Sequence, residues 1–232
     1  MTILIAIDDT DTKESRGTGR LARTIADSLR HFGSVAGVTR HQLFVHPSIP
    51  YTSHNSCAVI HLQTANGVAV PEIVDFVSGK ILDDFIEGSD PGLAVAPTSG
   101  IGDLVVKFGQ DAKKCVLSRG DAVTLAERIG IALVGLGGSC DGVIGALAGL
   151  GLASSGNDGR YVMKGRLREL SREARVEDLL LAGVDEVHTM AGERVKFGTV
   201  RMRKFPKPSL RNHRAVLFVE ERDGSFDEVV RD

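Results

Sequence analysis

Tryptophan is absent from this 232-residue chain, and aromatic residues make up 5% of it. So few rings leave little stacking surface for unpaired bases, which counts against a dedicated nucleic-acid binder. A basic bias is missing too: 28 Lys and Arg against 30 Asp and Glu leave a formal net charge of −2, where such a binder is usually basic. Cysteine is scarce. Cys57, Cys115 and Cys140 are far apart, odd in number and without a Cys-x-x-Cys pair. That speaks against a zinc ribbon or a disulfide framework and fits a reducing cytoplasm, the expected compartment. No apolar run reaches membrane-spanning length and no cationic leader opens the chain, so no membrane partner is expected.

Glycine, by contrast, is plentiful at 27 residues, which suits tight turns and close backbone approaches. The most informative stretch is the first. Ile3-Leu4-Ile5-Ala6-Ile7 reads as a short apolar strand, followed by Asp8-Asp9-Thr10-Asp11 and the small-residue turn Gly17-Thr18-Gly19. Leu21, Ala22, Ile25, Ala26 and Leu29 then recur at helical spacing. The aspartates offer hard oxygen ligands for a cation such as magnesium. The glycine-bounded helix start offers backbone N–H groups to a phosphate. Together they make the local logic of a site for magnesium-bound ATP, with Asp8, Asp9 and Asp11 as metal-binding and catalytic candidates and Gly17, Thr18 and Gly19 as nucleotide-binding ones. The plainer reading makes Thr18 an N-cap that accepts a hydrogen bond from Leu21 N–H.

Strands are expected at Val35 to Val45 and Cys57 to Leu62, joined by His46-Pro47-Ser48-Ile49-Pro50-Tyr51-Thr52-Ser53-His54-Asn55-Ser56. Two prolines stiffen this connection, and its polar end marks His54, Asn55 and Ser56 as substrate-lining candidates. The periodicity predicts a helix over Val70 to Ile86, with Asp83-Asp84 solvated near its end. Another is expected over Gly120 to Ile129, capped by Ser118 or Asp121. A second strand–glycine turn–helix arrangement runs from Gly135 to Ala148. Gly137 and Gly138 are further phosphate-cradle candidates there, while Gly142, Gly145 and Gly149 are equally explained by close packing. Asn157-Asp158-Gly159 reads as a hairpin turn. Val176 to Ala182 is expected to be helical and Glu186 to Thr189 extended. Basic residues from Arg194 to Arg214 crowd the last region. Val195 to Arg203 alternates like a strand that Ala215 to Glu220 would pair with, as a solvated face or an anion-binding one.

Three segments resemble the N-terminal half of archaeal agmatidine synthetases. They are Ile7-Asp8-Asp9-Thr10-Asp11 with Gly17-Thr18 and Leu21-Ala22, Pro47-Ser48-Ile49-Pro50-Tyr51 leading to Ala58-Val59, and Gly142 to Ala148; Asp90-Pro91-Gly92 is a fourth shared element. The resemblance spans roughly residues 3 to 165 of the chain. It implies a kinase-like region whose acidic loop, here Asp8, Asp9 and Asp11, binds ATP and metal, with Thr18 where the family carries a phosphorylated threonine. It also implies tRNA and agmatine as family substrates. An arginine that follows the Ile-Pro motif in the family is missing from Ser53-His54-Asn55-Ser56-Cys57, and Gly19 stands where the family has a second threonine.

The expected fold is α+β, mixed α/β, with two lobes, mixed sheets, and the nucleotide site between the lobes. Residues 1–165 would form the ATP-binding region and 166–232 a smaller basic β-rich one. The expected activity is an ATP- and magnesium-dependent phosphotransferase or ligase that activates a nucleoside or small polar acceptor for amine attachment. RNA is a further partner to consider. The other reading is a non-catalytic nucleotide- or polyamine-binding module, or a subunit of a tRNA-modifying assembly.

Overall fold

The computed structural model describes residues 1–12, 14, 17–51, 54–65 and 67–231. It has the mixed α/β composition expected, and contacts divide it into Met1–Ser155 and Gly156–Asp232.

In the first unit, five strands form one antiparallel sheet. These are β1 (Thr2–Asp8), β2 (Gly33–Gln42), β3 (Ser56–Thr64), β4 (Gly92–Pro97) and β5 (Ala132–Gly135), in the order β5-β4-β1-β3-β2. Its helices are α1 (Thr18–Ser28), α2 (Val70–Asp83), α3 (Asp103–Asp111), α4 (Arg119–Ile129) and α5 (Gly142–Ser154). Central β1 is apolar on both faces because helices cover both. Leu4 and Ala6 join Cys57, Val59, Ala94 and Ala96 in a core with α3, α4 and α5. The alternate residues Ile3, Ile5 and Ile7 are equally buried and face the side where α1 and α2 place Leu21, Ile25, Ile73 and Val77.

Helix α5 is buried nearly all round, and its glycines are the means. A Cβ on Gly151 would stand 2.0 Å from Val105 O, and one on Gly149 would stand 2.9 Å from Cys57 Sγ. Close packing therefore accounts for this run. Helix α4 starts on the expected cap: Asp121 N–H donates to Ser118 Oγ at 3.2 Å and Ser118 N–H donates to Asp121 Oδ2 at 3.0 Å. Ser118→Ala should lower stability by about 1 kcal/mol, read as a shift in the urea midpoint; an unchanged midpoint would show that the helix holds without this box.

Two boundaries fall short of expectation. Strand β2 ends at Gln42, because Phe44 N–H leaves the sheet for Ala112 O. Helix α2 ends at Asp83, where carboxylates oppose the helix dipole; Asp83 and Asp84 are exposed, as expected.

The second unit contains β6 (Arg160–Met163), β7 (Glu173–Arg175), α6 (Val176–Ala182), β8 (Glu186–Thr189), β9 (Thr199–Arg201), β10 (Ser209–Arg211), β11 (Arg214–Arg222) and β12 (Ser225–Glu228). Strand β11 is its axis, pairing antiparallel with β10 and β12 and parallel with β8. One face carries an apolar cluster that includes Val176, Leu179, Val187, Val200, Leu217 and Val219. The alternating run Val195 to Arg203 is a strand only at Thr199–Arg201, after Gly198 turns at φ +116°. That strand lies between β12 and β7 rather than against Ala215 to Glu220, which belongs to β11. Asn157-Asp158-Gly159 follows a helix, so it links α5 to β6 and is not a hairpin between strands.

Candidate functional site

A cavity of about 330 Å³ opens at the carboxyl end of β1, within the usual size of small-ligand pockets. Every described residue lining it belongs to Met1–Ser155, so these residues come from one unit.

Strand β1 delivers Asp8 to the cavity, and the chain then turns through Asp9 at φ +52°, a left-handed conformation that Asp tolerates. Asp9 O accepts Asp90 N–H at 3.2 Å, tying the turn to the loop before β4. Asp11 folds back onto the start of α1: its Oδ1 accepts the Thr18 hydroxyl at 2.7 Å and Thr18 N–H at 3.3 Å. The buried Thr10 hydroxyl adds a hydrogen bond to Thr18 Oγ1 at 3.1 Å. Thr18 is thus the first helical residue, with Gly17 at the N-cap position and no side-chain cap on Gly17. Asp11, seven residues upstream, does what the plainer reading gave to Thr18.

Five carboxylates act on one another here. Burial, then the Asp9 charge, pushes Asp8 up to about 8, partly offset by a backbone hydrogen bond from Asp9. Burial, then the charges of Asp90, Asp11 and Asp141, pushes Asp9 up to about 6. Asp8 reaches its place only because α5 presents Gly145: a Cβ there would lie 1.7 Å from Asp8 Oδ2. Asp141 occupies the N-cap position of α5, yet its side chain caps nothing and lines the cavity.

The opposite wall comes from the β2–β3 connection. Ser48, Ile49, Pro50, Tyr51, His54, Asn55 and Ser56 all line the cavity; Thr52 and Ser53 lie outside the described residues. Asn55 is largely committed to shaping that loop. Its Nδ2 donates to Phe44 O at 2.6 Å, and its carbonyl accepts Leu43 N–H and Gln42 Nε2, each at 2.8 Å. Ser56 Oγ accepts Arg40 Nε at 3.0 Å. Apolar lining is completed by Leu43, Val116, Leu117 and Ile144.

The fold therefore brings Asp8, Asp9, Asp11, Thr18, His54, Asn55 and Ser56 to one cavity, and it leaves Gly17, Gly19, Gly137 and Gly138 out of the lining. Gly137 makes room for the Phe85 ring, which a Cβ would approach to 2.4 Å; Gly138 turns at φ +56° against the Asp90 carboxylate. Both glycines have packing roles where they stand. Arg119 and Asp141 join the cavity without having been singled out for it. Arg119 is the one Lys or Arg among its described lining residues. Its Nη1 donates to Ser139 O, and Ser139 N–H donates to Asp90 Oδ1, so one loop braces both ends of the site. No local pattern marks Arg119, since only the α4–α5 arrangement carries it there.

A divalent cation fits the chemistry of this donor set, which is rich in carboxylate oxygen and crowded with like charge. Among the described residues no group of three or more His, Cys, Asp or Glu side chains is gathered to hold a metal unaided.

No family model matches this chain, and no curated protein matches it. Solved structures do. An enzyme described as a tRNA fluorescent labeling enzyme superposes with a TM-score of 0.57 at 27% identity, over 65% of this chain and 36% of that one. TiaS, an agmatidine synthetase acting on an isoleucine tRNA, in its apo form gives 0.56 at 26% identity, over 65% and 35%. The complex of TiaS with that tRNA and ATP gives 0.56 at 28%, over 65% and 36%. This chain thus shares a fold with agmatidine synthetase over about two-thirds of its own length, and spans little more than a third of those enzymes.

Proposed function

We propose that this chain uses ATP with a divalent cation to activate a nucleoside or small polar acceptor for attachment of an amine, as a phosphotransferase- or ligase-type enzyme. The observation that carries this reading is the convergence of Asp8, Asp9, Asp11 and Thr18 on one cavity. Likeness to an agmatidine synthetase whose complex contains tRNA and ATP supports it.

Asp8 and Asp9 would hold the cation. Magnesium is commonly bound through one or two carboxylates, with water and substrate phosphates completing its shell, which suits a site where no closed ligand cage forms among the described residues. When bound, the ion would neutralise phosphate charge in the transfer. Asp11 accepts a hydrogen bond from the Thr18 hydroxyl, which supports a role for Thr18 as phosphoacceptor or phosphate ligand. Arg119 places positive charge in the same cavity as the carboxylates, and the apolar wall from Ile49 to Tyr51 would seat a base or an alkyl amine.

Calorimetric titration with ATP, with and without magnesium, should show binding only when the ion is present. After incubation with ATP, mass spectrometry should find phosphate on Thr18 and none in Thr18→Ala. Lack of binding by any nucleoside triphosphate would overturn the reading. A second reading, a non-catalytic module for a polyamine, is favoured by the crowding of carboxylates that raises Asp8 and Asp9. Ammonium groups would relieve that crowding as a metal ion would. Spermidine or agmatine binding without ATP would select it.

A further inference from the structure

A second, open groove of about 510 Å³ lies on Gly156–Asp232, lined by Asn157, Glu186, His188, Arg211, Asn212 and Arg214 over a floor of Val216 and Phe218. The strand registers explain the set. Val216 lies beside Glu186 and Phe218 beside His188 in the parallel β8–β11 pair, and Arg211 lies opposite Arg214 in the β10–β11 hairpin. The intervening residues Val187 and Leu217 face the apolar cluster, so the polar set occupies the other face of the same strands.

The one carboxylate among the described residues of this groove is already neutralised. Glu186 Oε1 accepts Arg214 Nη1, and Oε2 lies 3.0 Å from His188 Nε2. Despite burial, the Arg214 hydrogen bond and the Arg214, His188 and Arg194 charges hold Glu186 below the usual carboxylate range. That leaves Arg211 as positive charge beyond the Glu186–Arg214 pair. Arg211 Nη1 is braced on Leu210 O at 2.7 Å, which fixes its guanidinium. Asn157 Oδ1 accepts Asn212 N–H at 3.0 Å, which fixes the orientation of the amide at the groove wall. His188 Nε2 is enclosed beside Glu186 Oε2, without a hydrogen bond aligned to it, so the ring senses the groove through that carboxylate.

We infer that this groove binds a phosphate group, held by the Arg211 and Arg214 guanidiniums, with the Asn157 amide at its wall and the His188 ring beside it as a reporter. Planar guanidiniums match phosphate geometry, and paired arginines with amide donors are the usual means of recognising it. The phosphate can be free or part of a nucleic-acid chain; the chemistry of capture is shared. Phosphate capture here does not depend on the function of the carboxylate cavity.

The test uses the whole protein and two probes, inorganic phosphate and a short single-stranded oligoribonucleotide, followed by the His188 ring resonances and by anisotropy at low salt. Arg211→Gln should weaken binding by about five-fold or more and, for the oligonucleotide, reduce the slope of log K against log salt by about 1. Glu186→Gln should tighten binding by about three-fold, because it removes the competing carboxylate and keeps every donor. A purely structural role for Glu186 would not do that. Should Arg211→Gln fail to fold, Arg211→Lys keeps the charge and loses the fork, and should weaken phosphate capture less. Response to both probes with a salt-dependent oligonucleotide affinity identifies a chain-borne phosphate; response to inorganic phosphate alone identifies a free one. No response of His188 to either probe, or affinities unchanged in Arg211→Gln and Glu186→Gln, overturns the inference.

Discussion

Asp8→Asn is expected to abolish magnesium-dependent ATP binding and at the same time to stabilise the ligand-free protein above neutral pH. Asp8 is pushed up to about 8 by burial and by Asp9, whereas the unfolded chain releases that proton near pH 4. Between those values the folded state holds the proton more tightly than the unfolded one. Stability from this group is full below about pH 4, falls as pH rises towards 8, and is lost above it. Each tenfold difference in proton affinity between the two states is worth about 1.4 kcal/mol. Allowing for water that reaches a cavity-lining group, the gain for Asn at pH 8 should be on the order of 2 kcal/mol.

Urea midpoints at pH 5 and pH 8 check this. The wild-type midpoint should drop between the two, and that of Asp8→Asn should change much less. ATP with magnesium should raise the wild-type midpoint at pH 8 and leave the variant where it is. Parallel pH dependences in the two proteins would show that Asp8 does not hold a proton in the folded state. A variant that gains stability and loses binding has the signature of a group kept for function at a cost to the fold.

The second large effect separates two glycines of α5, Gly145 and Gly151. Gly145→Ala would put a Cβ 1.7 Å from Asp8 Oδ2, so the carboxylate must swing away. The obstacle is the end of a side chain and can move. Binding of the magnesium–ATP pair should fall by about ten-fold or more, a loss of about 1.4 kcal/mol, with stability little changed. Gly151→Ala meets backbone instead, Val105 O at 2.0 Å and Val105 C at 2.7 Å. That clash has no soft partner, and α3 must separate from α5 at a cost of about 3 kcal/mol. Thermal melts and ATP titrations of both variants should therefore change in opposite order. Equal stability losses would mean that Asp8 cannot move aside in Gly145→Ala, and that its placement is part of the fold.

Much of the first unit is legible without coordinates, as is one helix of the second. The apolar strand ahead of Asp8, the helix through Leu21 and Ile25, a cap at Ser118 or Asp121 and helix Val176–Ala182 all follow from periodicity and capping, which act within a few residues. The C-terminal strands are less legible. Alternation from Val195 to Arg203 describes a strand that Gly198 interrupts, and strand partners there are chosen by register over distances that no local pattern encodes.

The sequence by itself determined the acidic turn after β1, its threonine and the polar loop from His54 to Ser56. These are local arrangements of charge and chain stiffness. Only the tertiary structure decided that they share a cavity, that Asp141 and Arg119 join them, and that Gly137 and Gly138 stay out. The reason lies in the burial of α5. A helix made largely of glycine, alanine and leucine can be enclosed on nearly every side, and its fit between the sheet and α3 sets where Gly145 meets Asp8.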